Sequence, residues 1–253
     1  MRSVVNKSLL LLLFSMLLFS CASRKRIVYM QDIEKAKSYD EAAQFEPTLQ
    51  PDDLLSIVVS TESEEIAAPF NLPDIQSSDS DYRGLKTYLL DNSGYIDFPI
   101  IGKIKLGGLT RTEANIKLVA AISEYVKNPI VNLRIVNYKV SVLGEVARSG
   151  SYNVVGERIS LLEALSMAGD LTIYGRRDNL LIVREKEGKK TYNRVDITNP
   201  DFLNSPFYYL SQNDVVYVEP NKTRVNASVI GPDVYVWFSS LSLLVTIIVV
   251  LTR

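Results

Sequence analysis

The sequence contains no histidine, and Cys21 is its only cysteine in 253 residues. Without histidine the chain lacks the commonest general base at neutral pH, the commonest metal ligand, and every Ser-His or Cys-His nucleophile pair. A lone cysteine excludes an intramolecular disulfide. An excess of one charge is missing too, since 28 Lys and Arg face 29 Asp and Glu. Such a balance leaves no footprint for nucleic acid. Chemistry built on carboxylates or lysine remains open, but no cofactor and no metal is expected. Apolar content is ample at 47% of residues, enough to bury sizeable cores.

Much of that apolar content lies in two greasy stretches. In the first, Arg2 and Lys7 precede the apolar run Leu9–Phe19, the layout of a secretory signal. Leu18-Phe19-Ser20-Cys21 follows and resembles the bacterial lipobox, in which the cysteine is lipidated and becomes the new N-terminus. Cleavage there would leave 26 basic against 29 acidic residues, a balance of −3. The alternative is an uncleaved anchor. From Cys21 to about residue 46 the chain is polar and reads as a tether, with a short helix within 31–45. Ser23-Arg24-Lys25-Arg26 beside the lipid site can also meet anionic headgroups.

Structure begins at Pro51-Asp52, ahead of the β-rich run Leu54–Ser60. Residues 61–83 carry six acids, two prolines and one basic residue, Arg83. This stretch reads as a solvated loop, without the spacing of a calcium site. Asn92-Ser93-Gly94 between β-rich runs predicts a hairpin. Thr110-x-x-Glu113 is a capping box before a helical pattern at Ala114, Leu118, Ala121, Ile122 and Tyr125, ended by Asn128-Pro129. A second unit repeats this grammar. A strand–turn–strand segment turns at Ser149-Gly150. A helix opens with the capping box Ser160-x-x-Glu163, and a hairpin turns at Glu187-Gly188 before a closing strand. Leu49–Ser60 and Leu210–Pro220 also share a pattern, Leu followed by polar residues, an Asp and a β run. These features predict an α+β fold of two small units, since the connections are too short for repeated βαβ crossovers.

Taken in order, "LQPDDLLSIVV", "DNSGYIDFPIIGKIKLGGLTRTEA", "VKNPIVNLRI", "VSVLGEVARSGSYNV", "LLEALSMAGDL" and "LSQNDVVYVEP" resemble the Wza-like bacterial polysaccharide export lipoproteins. The later segments resemble the β-grasp module called SLBB. The resemblance implies a signal peptide at 1–20, a lipid-anchored linker at 21–45, and a polysaccharide export domain at 46–137. It further implies an SLBB-like β-grasp domain at 138–220, a linker at 221–233 and a C-terminal transmembrane helix at 234–253. The family's usual Pro-Gly-Asp and Gly-Asp turns read Pro51-Asp52-Asp53 and Asn213-Asp214 here, and Asp and Asn tolerate the left-handed conformation those turns need. One SLBB-like unit stands where long members carry two.

The second greasy stretch, Val234–Leu251, holds eighteen uncharged residues. As a helix it is about 27 Å long, near the thickness of a bilayer's hydrocarbon core. Tyr235, Trp237 and Phe238 cluster at its start, as in an aromatic belt. Ser239, Ser242 and Thr246 share one face, while Trp237, Leu241, Leu244, Ile248 and Leu251 share the other. Two readings stand: a ring of such helices with the hydroxyl stripe on the seam or lumen, or a single anchor whose hydroxyls bond their own carbonyls. The resemblance implies the ring.

Other candidate chemistry is weak. Asp52 and Asp53, as neighbours at a strand entry, point apart and suit a turn better than glycoside hydrolysis. Gly102, Gly107 and Gly108 lack the spacing of a dinucleotide loop. Arg176, Arg177, Arg184, Lys186, Lys189 and Lys190 form a basic hairpin, either a solvated face or a contact for acidic glycan. Asn221-Lys-Thr and Asn226-Ala-Ser carry no meaning in a bacterium. The expectation is therefore a non-enzymatic outer-membrane lipoprotein with a periplasmic body. It would form a homo-oligomeric channel for capsular polysaccharide or exopolysaccharide, partnered by an inner-membrane chain-length regulator or tyrosine kinase co-polymerase. The rivals are a monomeric glycan-binding lipoprotein with a simple anchor, and a carboxylate glycosidase.

Overall fold

The computed structural model describes residues 27–35, 45–72, 86–186, 188–229 and 232–251. Among them the buried apolar residues form two clusters. One runs from Leu49 to Leu133 and the other from Tyr138 to Val218, with half-buried Ile135 touching both. The fold is mixed α and β, built on several small sheets.

In the first module, β1 (Leu54–Ser60) is the middle strand of an antiparallel sheet with β2 (Thr87–Leu89) and β5 (Ile130–Ile135). Its side chains alternate as a strand with one wet face requires: Leu55, Ile57 and Val59 are buried, whereas Val58 and Ser60 are exposed. Strands β3 (Tyr95–Phe98) and β4 (Gly102–Lys105) make a separate hairpin. Helix α2 (Arg111–Ser123) closes the core with Ala114, Leu118 and Ile122, each fully buried. Truncating Leu118 to Ala there would cost about 2–5 kcal/mol. Thr110 accepts from the Glu113 N–H while Glu113 accepts from the Thr110 N–H, so the predicted capping box is formed.

The second module is a five-stranded mixed sheet. It contains β6 (Lys139–Gly144), β7 (Gly150–Asn153), β9 (Gly175–Lys186), β10 (Lys189–Val195) and β12 (Val215–Pro220), in the order β10-β9-β12-β6-β7. Strand β12 runs parallel to β6, and the long crossover a parallel pair needs is supplied by α3 (Leu161–Met167) and the β9–β10 hairpin. Two short strands, β8 (Ile159–Ser160) and β11 (Tyr209–Leu210), pair beside it. Ser160 and Glu163 form the second predicted capping box, and Leu161, Ala164 and Leu165 turn into the core.

Two expectations change. Asn92-Ser93-Gly94 is a turn but not a hairpin, because β2 pairs with β1 while β3 pairs with β4. The Asp91 carboxylate takes the N–H groups of Ser93 and Tyr95 at 2.8 Å each, and this local bonding replaces a ladder. The acidic stretch is not all loop: α1 (Glu64–Ala67) and a 3₁₀ turn at Ala68–Phe70 bury Phe70 in the first core. Its remainder lies outside the described residues, as does most of the proposed helix within 31–45, whose described part holds a 3₁₀ turn at Ile33–Lys35.

Two helices follow the second module, α4 (Lys222–Val229) and α5 (Pro232–Leu251). The Asn221 side chain caps α4 through the Arg224 N–H, and Arg224 reaches back to Glu145 at 3.0 Å. Among the described residues, no helix is long and apolar enough to cross a membrane.

Candidate functional site

The residues singled out by sequence do not converge. Cys21 lies outside the described residues. Ser239, Ser242, Thr246, Trp237 and Phe238 all lie on α5, as does the backbone of Tyr235. At about 100° per residue, the three hydroxyls fall within an arc of roughly 60°, and Trp237, Leu241 and Leu244 lie across from them. Trp237 is 76% exposed and Phe238 67%, and the described apolar side chains of α5 are exposed along its length. In water such a helix would leave a large apolar patch unpartnered. Two of the three stripe hydroxyls are spent locally: Ser239 donates to the Val236 carbonyl at 2.9 Å and Thr246 to the Ser242 carbonyl at 2.8 Å. Only the Ser242 hydroxyl has no hydrogen bond among the described residues, so it alone of the stripe is left for a neighbour.

The basic hairpin is largely consumed by the fold. Arg184 holds the fully buried Asp214 through Nε and Nη2, the shortest contact being 2.7 Å. Arg176 and Arg194 converge on Glu219 at 3.3 and 2.7 Å, which keeps the Glu219 carboxyl below its usual range. The Arg177 guanidinium is buried and donates to the carbonyls of Leu171, Thr172 and Gly175. Lys190 lies 3.9 Å from Glu185. The stretch is thus mostly structural, and its partners lie up to 43 residues away in sequence.

The modules meet at a polar seam that sequence reasoning missed. Asn137 accepts from the Leu54 N–H and donates to the Asp52 carbonyl, both at 2.9 Å. Gln212 accepts from the Lys139 N–H at 2.7 Å and donates to the Asn137 carbonyl at 2.8 Å. Tyr138 donates to the Leu210 carbonyl at 2.6 Å. Asp52 and Asn213 both take the left-handed conformation, at φ 68° and 63°. Behind them Asp53 and Asp214 are fully buried. Asp52 and Asp53 therefore point apart, one to water and one inward, as a turn requires and a glycosidase pair does not. A cleft of about 880 Å³ opens on this seam, lined by Pro51, Asp52, Ser93, Gly107, Glu185 and Asn213 among others. Gly107 is needed there because a Cβ would sit 2.6 Å from the Cα of Gly94. Among the described residues, no group of three or more His, Cys, Asp or Glu is placed to hold a metal.

Residues 41–136 match the family model described as polysaccharide biosynthesis/export protein. This segment is similar to a polysaccharide export domain. The match takes in the first module, its turn at Asp52 and the capping box of α2. Two relatives, each named EPS I polysaccharide export outer membrane protein EpsA, come from Ralstonia solanacearum and Ralstonia nicotianae (strain ATCC BAA-1114 / GMI1000). They are 28% and 30% identical to the chain over 113 residues. Each match covers 40% of this chain and 29% of the relative, so the chain matches less than a third of the length of these curated relatives.

Proposed function

We propose that the protein is a subunit of an outer-membrane channel that exports capsular polysaccharide or exopolysaccharide. The carrying observation is the export domain at residues 41–136, supported by relatives whose name places polysaccharide export at the outer membrane. Transport makes and breaks no bond, and no catalytic residue is assigned. Cys21 carries the lipid, and the export domain (46–137) and the SLBB-like β-grasp domain (138–220) form a periplasmic body. Several copies make a ring, and Val234–Leu251 crosses the membrane as one helix of a barrel. This span rests on the sequence, whose eighteen uncharged residues match a bilayer core. The Tyr235, Trp237 and Phe238 cluster marks the headgroup level. An inner-membrane co-polymerase supplies substrate and energy.

One observation favours the simpler rival, a glycan-binding lipoprotein with a single anchor: the Ser239 and Thr246 hydroxyls already bond their own helix. Ser242 separates the two. In a ring, Ser242→Leu fills the seam or lumen in every subunit at once and abolishes surface polymer at matched protein level, while Leu244→Ile is silent. In a single anchor both changes are harmless, because lipid accepts Leu at least as well as Ser. Sizing of the detergent-extracted protein completes the test. A single-chain mass together with full export by Ser242→Leu would overturn the channel.

A further inference from the structure

A second cleft, of about 670 Å³, opens between the modules on a different face of the seam. Its walls are the start of α2, the end of β5 and the loop between β7 and β8. Among its lining residues are Phe45, Glu46, Arg111, Arg134, Tyr138 and Arg158. Three arginines in one interdomain cleft invite comparison of what each one holds. Arg111 is engaged, lying 3.1 Å from Glu157 across the module boundary and 3.8 Å from Glu46. Arg134 makes no hydrogen bond or ion pair among the described residues. Arg158 makes none either, although it lies near enough to Glu163 to help hold that carboxyl low. Its guanidinium rests 4.8 Å from the Tyr209 ring, which in turn stacks on Phe45 at 5.3 Å. The two acids in the cleft, Glu46 and Glu157, are both already taken by Arg111. Two guanidiniums without a hydrogen-bonded acid therefore remain beside the stacked aromatic rings.

The Glu46 carboxylate sits at the first turn of α2, taking the Thr112 N–H at 2.7 Å and the Thr112 hydroxyl at 2.8 Å. The chain thus places a carboxylate of its own on one wall and leaves two exposed arginines, Arg134 and Arg158, without a hydrogen-bonded carboxylate. Guanidinium planes bind carboxylates in bidentate fashion, and an aromatic stack offers an apolar face for a sugar ring. Ligand sites favour the boundary between domains.

We infer that this cleft binds a carboxylate-bearing sugar unit of the transported polymer, with Arg134 and Arg158 as its charge contacts. The inference rests on the export reading above and adds a substrate class to it: an acidic glycan, of the uronate kind. Affinity per unit is weak, as passage of a polymer demands, and it falls as salt screens the exposed guanidiniums.

The test is calorimetric titration of the full-length protein in detergent with trigalacturonate, against maltotriose as the neutral control. Trigalacturonate binds, maltotriose does not, and the double variant Arg134→Gln/Arg158→Gln binds at least tenfold more weakly. Lys189→Gln, at the tip of the β9–β10 hairpin, stays within twofold of the parent. Thermal melting of each variant monitors folding. Arg134→Gln alone, at a side chain with no partner to lose, gives a threefold weakening should the double variant fail to fold. The inference is overturned if trigalacturonate does not bind, if maltotriose binds as well, if inorganic phosphate competes equally, or if the folded arginine variants bind within twofold of the parent. A parallel complementation keeps the two readings apart. Restored surface polymer in a strain lacking the gene, without trigalacturonate binding, sinks only this inference. Binding without restored polymer sinks only the export reading.

Discussion

Gln50-Pro51-Asp52-Asp53 and Ser211-Gln212-Asn213-Asp214 form the same turn in two different modules. In each, the fourth residue's N–H returns to the first residue's carbonyl at 3.1 Å. The third residue adopts positive φ, as a type II turn requires. The fourth residue's carboxylate takes the first residue's N–H, at 2.8 Å for Asp53 and 2.7 Å for Asp214. Each turn launches the strand that its module's sheet is built around. The backbone problem is identical, and the electrostatic solutions diverge. Asp214 is clamped by Arg184, whereas one oxygen of Asp53 is buried with no partner. Burial raises both carboxyls, Asp53 to about 6; at Asp214 burial still wins, with Arg184 offsetting part of the rise. A family of turns can therefore conserve geometry while leaving the charge to be settled locally. The first module has left it unsettled at the seam with its neighbour.

The largest effect should come from removing the clamp. Arg184→Met leaves a buried charge without its partner and takes a donor from the Tyr209 carbonyl, at a cost of about 3–5 kcal/mol. Adding Asp214→Asn should return much of that loss. Urea unfolding followed by far-ultraviolet circular dichroism measures both. A loss below about 1 kcal/mol for Arg184→Met would mean that the two turns are electrostatically equivalent after all.

Asp53 should respond in the opposite sense. Its carboxyl titrates near 6 when folded and near the ordinary 3.8 when unfolded. The folded state therefore binds the extra proton, and its stabilising contribution is full below about pH 4. It is lost as pH rises through about 6, leaving the folded protein roughly 3 kcal/mol worse off at neutrality. Asp53→Asn removes the charge and keeps an oxygen for the Gln50 N–H. At pH 7.5 it should stabilise the protein by about 1–3 kcal/mol, with the gain vanishing near pH 4.5. Thermal midpoints of the two proteins at the two pH values decide this, and a gain independent of pH would remove the buried-charge account.

What sequence made legible follows from how local the cause is. Both capping boxes were readable because their residues sit three apart and satisfy donors within one helical turn. They should differ modestly in weight. Ser160 is 5% exposed and Thr110 is partly open, so Ser160→Ala should cost slightly more than Thr110→Ala, each about 1 kcal/mol by urea midpoint. The positive φ at Asp52 and Asn213 was legible through the resemblance, whose turns carry glycine there, and because Asp and Asn tolerate that backbone. The clamp was not, since Arg184 and Asp214 lie 30 residues apart, and a run of arginines and lysines reads equally as a wet face. The cleft at Arg134 and Arg158 was less legible still. It gathers Phe45, Arg134 and Arg158 from three separate segments, none with a motif of its own. The Asn92–Gly94 segment misled because a turn signal specifies the turn and not the partners of the strands beside it.

The finest distinction between the two turns concerns their third residues. Both occupy left-handed backbone that costs an ordinary L-residue about 1–2 kcal/mol, a cost that Asn and Asp meet in part through local hydrogen bonding. Glycine removes the steric cost but loses more entropy on folding, so the net gain from substitution is small, roughly 0.5 kcal/mol. Among non-glycine residues Asn and Asp are the ones that enter this region routinely, so the two positions should behave alike. They differ in surroundings, because the Asp52 carbonyl accepts from the Asn137 side chain across the seam. A glycine at 52 loosens the peptide that this bond fixes; one at 213 disturbs no such contact with the first module. Asn213→Gly should therefore show the full small gain, and Asp52→Gly less or none. Asn137→Ala, by removing the contact, should bring the two glycine variants together. Urea midpoints of the two glycine variants in the parent and in Asn137→Ala test this, and a larger gain at 52 than at 213 would show that the seam places no demand on the turn.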